Sequence, residues 1–317
     1  MMNELLTIRC SIDFDKIMNG SSGELLIGET IYKICRLDKN IRANKGGNSW
    51  VMKMYQTSDD EDESFDNNPI SIIKVNKAEY YNEGGKYDRK KNKRINQEID
   101  ALQECKNKKA KYVISIDFDG ILLNNNRDVH RFYTMEVAEC DLKQYMERND
   151  LDFLERIETC MELTKSLREL WKLGFYHRDI KPDNFFHLET GEWKVGDLGL
   201  VAKRNTSETH DGENEFIGPK GWTSPETMNK YLVEESNDRF DRIIDEKSDM
   251  FQLGMVFWYI MQGNAPIGCI MEKDFLNENH DLYQLIRSMV SHSKLLRPMN
   301  FDIILERLNQ IANRCLY

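Results

Sequence analysis

The chain has 317 residues, 40% hydrophobic and 31% charged, with a formal net charge of −10. That balance describes a folded protein long enough to bury a large core and to form two lobes or domains, and it excludes a disordered tail. The acidic sign argues against a general nucleic-acid binder, because contacts to phosphate require a basic face.

Read from the N-terminus, "MMNELLTIRC" lacks the charged start, apolar stretch and cleavage site of a targeting signal, so the mature chain is expected to begin near Met1. In "LTIRCSIDF" the residues Leu6, Ile8, Cys10, Ile12 and Phe14 alternate with polar ones, the period of a half-buried strand. Further strands are expected at 29–36, 49–56, 69–75, 112–118 and 131–137. The polar stretches "SDDEDESFDNN" (58–68) and "DGILLNNNRD" (119–128) read as surface loops. A helix is expected at about 94–105, with Ile95, Ile99 and Leu102 on one face and the basic run "RKKNKR" as its solvated start.

After Asp141 helices dominate. Leu154, Ile157, Met161, Thr164, Leu167 and Trp171 recur at helical spacing, as do Ile304, Leu308 and Ile311. The longest apolar run, Met250 to Met261, is interrupted by Gln252 and falls short of the ~20 residues of a membrane span, so it reads as a buried core helix. Seven cysteines are scattered singly without a CxxC pair, which fits a reducing cytoplasm and predicts neither disulfides nor structural zinc. The pattern as a whole predicts an α+β protein, a small mainly β part with one helix followed by a larger, mainly helical part.

The segment "YHRDIKPDNFF" concentrates acids, cations and an asparagine within a turn-sized loop. Its "HRDIKPDN" resembles the catalytic loop of the eukaryotic-type protein kinases. "VGDLGL", "WTSPE" and "SDMFQLG" follow in that family's order, and four ordered motifs over about 120 residues carry far more weight than any one of them. The resemblance implies a bilobal fold, with residues 1–138 an ATP-binding lobe bearing an N-terminal extension and 139–317 the catalytic and substrate-binding lobe. It implies ATP and Mg2+ as cofactors and protein substrates as partners, with autophosphorylation among the options. Nucleic acid and membrane are not expected partners, and the oligomeric state is left open.

By the same resemblance, Asp179 orients or deprotonates the attacking hydroxyl, Asn184 and Asp197 bind magnesium, and Lys181 contacts the transferred phosphate and points to a serine/threonine acceptor. Leu198 replaces the phenylalanine that usually follows the metal-binding aspartate. Ser224 replaces the usual alanine before Pro225, Glu226 is expected to pair with Arg297 in "LLRPM", and Asp249 to tie the catalytic-loop backbone to the core. Pro219 stands where serine/threonine members usually carry a threonine, and with Trp222 it matches the tyrosine-kinase pattern instead.

On the nucleotide side, Lys53 and Lys74 compete for the phosphate-binding position. Lys74 is preferred, because it precedes the candidate partner Glu98 by 24 residues and leaves room for two earlier strands. No GxGxxG exists. Gly46 and Gly47 in "RLDKNIRANKGGNSW" are placed ahead of Gly28 in "IGETIYK" as the phosphate cover. "FYTMEVAECDL" resembles the hinge, with Met135 as gatekeeper, Glu136 to Ala138 facing adenine through backbone atoms, and Asp141 near the ribose.

Arg178 is expected to bind an anion on the activation segment. Counting eleven residues back from Glu226 reaches Glu215, proposed as a permanent anion with Glu213 as its substitute. Phosphorylation at Thr206, Ser207 or Thr209 is the rival, and plain solvation of the loop by these acids is the third option. A pseudokinase scaffold and a dual-specificity kinase stand as functional alternatives. A small-molecule kinase of the choline or aminoglycoside type is opposed by the Ser-Pro-Glu segment, Asp249 and Arg297.

Overall fold

The computed structural model describes residues 6–10, 12–37, 48–56, 68–80, 86–123, 128–204, 211, 216–232, 239–266 and 268–315. The chain divides into two compact units: residues 1–106 with 115–137, and residues 107–114 with 138–317. Among the described residues, no helix is long and apolar enough to cross a membrane.

The first unit is built from β1 (Leu6–Arg9), α1 (Phe14–Met18), β2 (Ser22–Ile27), β3 (Thr30–Arg36), β4 (Ser49–Gln56), β5 (Ser71–Glu79), α2 (Lys86–Asn107), β6 (Ile116–Leu123) and β7 (Val129–Met135). Its strands form one sheet in the order β1-β6-β7-β5-β4-β3-β2. Every neighbouring pair is antiparallel except β1 with β6. Ile34, Met52, Met54, Ile73, Val75 and Phe132, all buried, join one face of the sheet into a core.

The strand expected through Phe14 stops at Arg9. Asp13 accepts a hydrogen bond from Lys16 N at 3.1 Å and caps a short helix, which buries Phe14 and Ile17 one turn apart. Phe14 then stacks on Trp50 with ring centroids 4.8 Å apart. Strand β2 was hidden by its glycine- and serine-rich approach. It forms a hairpin with β3 whose two-residue turn, Gly28 and Glu29, puts Gly28 at φ +63°.

The loop expected at 119–128 is strand as far as Leu123. Asp119, which made the stretch look solvated, takes a salt bridge from Arg131 of the neighbouring strand at 2.5 Å, and Ile121 and Leu122 are buried. The strand expected at 112–118 is divided between the two units. Val195 N donates to Tyr112 O and Ile114 N donates to Val195 O, both at 2.9 Å, and Glu169 accepts from Lys111 N at 3.0 Å and Tyr112 N at 2.6 Å. Those bonds tie 107–114 into the second unit, and β6 starts only at Ile116.

The second unit contains β8 (Cys140–Asp141), α3 (Leu142–Arg148), α4 (Phe153–Lys172), β9 (Phe175–Tyr176), β10 (Phe185–His187), β11 (Trp193–Val195), β12 (Ala202–Lys203), α5 (Pro225–Leu232), α6 (Glu246–Gln262), α7 (His280–Met289) and α8 (Phe301–Cys315). Its strands make two small sheets, β11-β10-β8 and β12-β9. Helix α4 packs on α6 and α8, and α6 is the apolar run expected to be core: Met250, Leu253, Val256, Phe257 and Ile260 are fully buried. In α4 the buried face takes in Cys160, Leu163 and Leu170 beside the expected Ile157, Thr164 and Leu167.

Gly120 lies tight against the neighbouring strand β1, because a Cβ there would collide with the Leu6 carbonyl. Gly120→Val is therefore expected to lower stability by about 1–3 kcal/mol through overpacking. In hydrogen exchange it should release the amides of β1 before those of β4 and β5, and equal protection of β1 in both proteins would contradict this.

Candidate active site

The catalytic-loop segment runs from β9 into a 3-10 turn, Pro182–Asn184. Its backbone is fixed by two side chains three residues apart on α6, a spacing that places both on one helix face. Asp249 accepts from His177 N and Arg178 N, each at 2.8 Å, with one carboxylate oxygen apiece. Gln252 Oε1 accepts from Ile180 N at 2.9 Å. Burial pushes the Asp249 carboxyl up to about 7, against the two amide bonds that favour its anion.

His177 is completely buried, and burial holds its pKa below the usual value despite the nearby Asp179 carboxylate. The neutral ring satisfies both partners: Nε2–H donates to Gly196 O at 3.0 Å, and Nδ1 accepts from Asp179 N at 3.3 Å. Arg178 sits at φ +72° and Asp197 at φ +56°. Each costs about 1–2 kcal/mol for a residue with a Cβ and persists only where its surroundings hold it.

At Asp179 three expected residues converge. Lys181 Nζ reaches Oδ2 at 3.0 Å, and Asn184 Nδ2 donates to the same oxygen at 2.9 Å and to the Asp179 carbonyl at 2.6 Å. Among the described residues Oδ1 carries no hydrogen-bond partner. Burial works to lower the pKa of Lys181, but the Asp179 carboxylate outweighs it and the net shift is upward, so the ammonium stays charged.

With its nitrogen committed, Asn184 turns its amide oxygen the other way. Asp197 is exposed while Leu198 beside it is fully buried, so the left-handed turn sends the carboxylate outward and the apolar side chain inward. Both offer hard oxygen donors of the kind that suit Mg2+.

In the first unit, Lys74 of β5 pairs with Glu98 of α2 at 2.8 Å, and Tyr133 of β7 donates its hydroxyl to the same Glu98 oxygen at 2.9 Å. Lys53 lies on β4 between the buried Met52 and Met54 and faces the other side of that strand. Met135 ends β7, and its carbonyl accepts from Ser71 Oγ at 2.8 Å. Glu136 exchanges two bonds with Ser115: Ser115 N donates to its carboxylate at 2.6 Å, and its own N–H donates to Ser115 O at 3.1 Å. In the second unit, Ala138 precedes β8, and Asp141 caps α3 by accepting from Gln144 N at 2.8 Å, its pKa raised by burial. Gly46 and Gly47 lie outside the described residues, in the connection between β3 and β4. Gly28, the competitor, belongs to the β2–β3 hairpin turn.

Glu226 and Arg297 form a buried bidentate pair at 2.7 and 3.0 Å. Arg297 also donates to the carbonyls of Ser291 and Lys247, both at 2.8 to 2.9 Å, and stacks on Phe251. Glu215, Glu213, Thr206, Ser207 and Thr209 lie outside the described residues. Among those described, the acid that Arg178 holds is Asp211, at 2.6 Å, and Lys230 shares it. Sequence reading missed Asp211, Lys230, Tyr133 and Gln252. Only Gln252 left a signal, as the polar interruption of an apolar run three residues after Asp249.

The sequence pattern of the family described as the protein kinase domain matches residues 66–316. The chain belongs to the protein kinase family. A probable serine/threonine-protein kinase of Dictyostelium discoideum is 24% identical over 209 residues, 61% of this chain and 26% of its own length. The eIF-2-alpha kinase GCN2 of Arabidopsis thaliana is 26% identical over 57% of this chain and 16% of its own length. The dual specificity protein kinase TTK of Mus musculus is 21% identical over 45% and 17% respectively. The match thus spans about a quarter or less of these relatives.

The Glu226–Arg297 pair of this kinase domain yields a stability test. Burial alone would raise the Glu226 pKa, but the hydrogen bonds and charge of Arg297 outweigh it and hold it below the ordinary glutamate value. The pair therefore stabilises the fold above that ordinary value, and the contribution is lost as pH falls below it through the folded pKa. Arg297→Ala should cost about 3–5 kcal/mol at neutral pH by stranding a buried carboxylate. Denaturant titration should show the gap to wild type narrowing in acid, and a pH-independent gap would contradict the assignment.

Proposed function

We propose that this chain is an ATP- and Mg2+-dependent protein kinase that transfers a phosphoryl group to serine or threonine hydroxyls of protein substrates. The observation that carries the reading is the constellation at Asp179, whose Oδ2 is held by Lys181 and Asn184 and whose Oδ1 is left to accept a proton. In this reading Asp179 orients the acceptor hydroxyl and takes its proton, a role worth about 10²–10⁴-fold. Lys181, kept charged by Asp179, offsets negative charge on the phosphoryl group in flight. Asp197 and Asn184 Oδ1 hold the metal, which when bound neutralises charge on the phosphates. Lys74, oriented by Glu98 and Tyr133, holds the α- and β-phosphates. Residues 1–138 would then serve nucleotide binding and 139–317 catalysis and substrate binding.

Serine/threonine specificity is supported by Lys181 two residues after the base and by several relatives that are named serine/threonine-protein kinases. Pro219 and Trp222 favour the dual-specificity alternative. Incubation with labelled ATP, Mg2+ and generic protein substrates, followed by phosphoamino-acid analysis, decides between them. Absence of any transfer would favour a scaffold.

Asp179→Asn is expected to lower kcat by about 10²–10⁴-fold with the fold intact by circular dichroism. Asp197→Asn should abolish transfer, and activity within a few-fold of wild type would overturn the metal assignment. Separately, Lys74→Met should silence the protein while Lys53→Met keeps most of its activity. The reverse pattern would move the phosphate lysine to β4.

A further inference from the structure

Strand β10 brings residues from distant parts of the chain to one point. In its antiparallel pairing with β8, His187 stands directly opposite Cys140, so the two side chains lie on one face. Glu139 is fastened to the same strand, because its N–H donates to the His187 carbonyl at 2.9 Å. Its carboxylate Oε2 lies 3.3 Å from His187 Nδ1. One donor atom each from Glu139, Cys140 and His187 lies within 4.8 Å of the other two. Tyr145 of α3 and Trp193 of β11 pack against the His187 ring, with centroids 4.7 and 5.0 Å away, and hold its orientation.

We propose that Glu139, Cys140 and His187 form a binding site for a zinc-class divalent cation, with the fourth position taken by water. Sulfur, imidazole nitrogen and carboxylate oxygen together are a donor set of Zn2+, whereas Mg2+ takes hard oxygen donors. Bonds of about 2.0–2.2 Å to nitrogen and oxygen place two tetrahedral ligands about 3.3–3.5 Å apart. The His187–Glu139 separation already has that spacing. A bond of about 2.3 Å to sulfur lengthens the other two edges to about 3.6 Å, so closing the set takes side-chain movement of about 1 Å at most. Cys140 is buried while the Glu139 side chain is 50% exposed, which gives the ion a path from solvent on the carboxylate side. Binding replaces the Cys140 S–H bond by an S–Zn bond and gives the proton to solvent. The ion would clasp β8 to β10 beside Asp141, which follows Cys140 directly and caps α3. No CxxC pair marks the site, because Glu139 and His187 are 48 residues apart, and for that reason the sequence predicts no zinc. The site stands whether or not the chain transfers phosphate. The competing account is a His187–Glu139 hydrogen bond beside a thiol that only packs.

The test strips the full chain of metal with EDTA, removes the chelator, and titrates Zn2+ in excess Mg2+ against a chromophoric zinc chelator. It compares wild type, Cys140→Ser, Glu139→Gln, and a Cys269→Ala, Cys315→Ala double variant that removes the two exposed cysteines. Wild type should bind one Zn2+ per chain and, loaded with Co2+ instead, show the near-ultraviolet sulfur-to-metal charge-transfer band. Losing an outer-shell partner of a metal costs about 10–100-fold in affinity, so losing a ligand should cost at least as much. Cys140→Ser should therefore weaken Zn2+ binding by about 10²-fold or more and abolish the Co2+ band, and Glu139→Gln should weaken binding by about 10-fold or more. The double variant should bind as wild type does. Zn2+ should raise the melting midpoint of wild type by mass action and leave that of Cys140→Ser unchanged. Failure of wild type to take up Zn2+ over Mg2+, wild-type affinity in Cys140→Ser, or loss of binding in the double variant would overturn the proposal. Should Cys140→Ser fail to fold, the exposed Glu139→Gln and the Co2+ spectrum of wild type decide. Weakened binding with a sulfur band sustains the site, and unchanged affinity or a missing band overturns it.

Discussion

A single buried carboxylate anchors the catalytic loop. Asp249 gives one oxygen to each of two consecutive amides, His177 and Arg178, from a helix whose remaining faces are core. Two consecutive backbone N–H groups turned toward one side chain cannot belong to a strand or helix ladder, so the loop depends on this acceptor to be satisfied at all. Desolvation opposes the charge and the amides favour it, and the balance leaves the group titrating near neutrality. Gln252, one turn on, extends the same anchor to Ile180. The interval between the two anchored stretches is Asp179.

That anchor makes the local strain understandable. Arg178 and Asp197 both have positive φ without being glycine; the first directly precedes Asp179, and the second is itself the exposed aspartate. The amide bonds, the neutral His177 bridging Asp179 N to Gly196 O, and the buried Leu198 over-determine the path. The strain is thereby held rather than relaxed, which keeps the acidic groups fixed before any ligand arrives.

The first unit solves a different problem, a lysine in a sheet. Lys74 is nearly buried, and its charge is answered by Glu98 from α2, with Tyr133 closing the remaining acceptor capacity of that oxygen. A buried pair of this kind adds little net stability but fixes geometry, because removing either partner leaves an uncompensated charge. No disulfide links the seven cysteines.

The sequence alone determined the linear facts: the order of the kinase motifs, the buried run at α6, the strand at 49–56, and the pairing of Lys74 with Glu98. Those are carried by spacing and periodicity, which survive in one dimension. Tertiary structure decided whatever depends on a partner far along the chain. Asp119 read as loop because its cation, Arg131, is on another strand. Residues 112–114 read as part of a strand because Glu169 and Val195, which bind them, come much later. Arg178 was expected to seek an acid at a family spacing counted from Glu226, yet loop length sets which carboxylate arrives, and among the described residues it is Asp211. Lys230 could not be foreseen, since only the packing of α5 brings its ammonium to that oxygen. A charge's partner is a matter of distance in space, and a sequence records only distance along the chain.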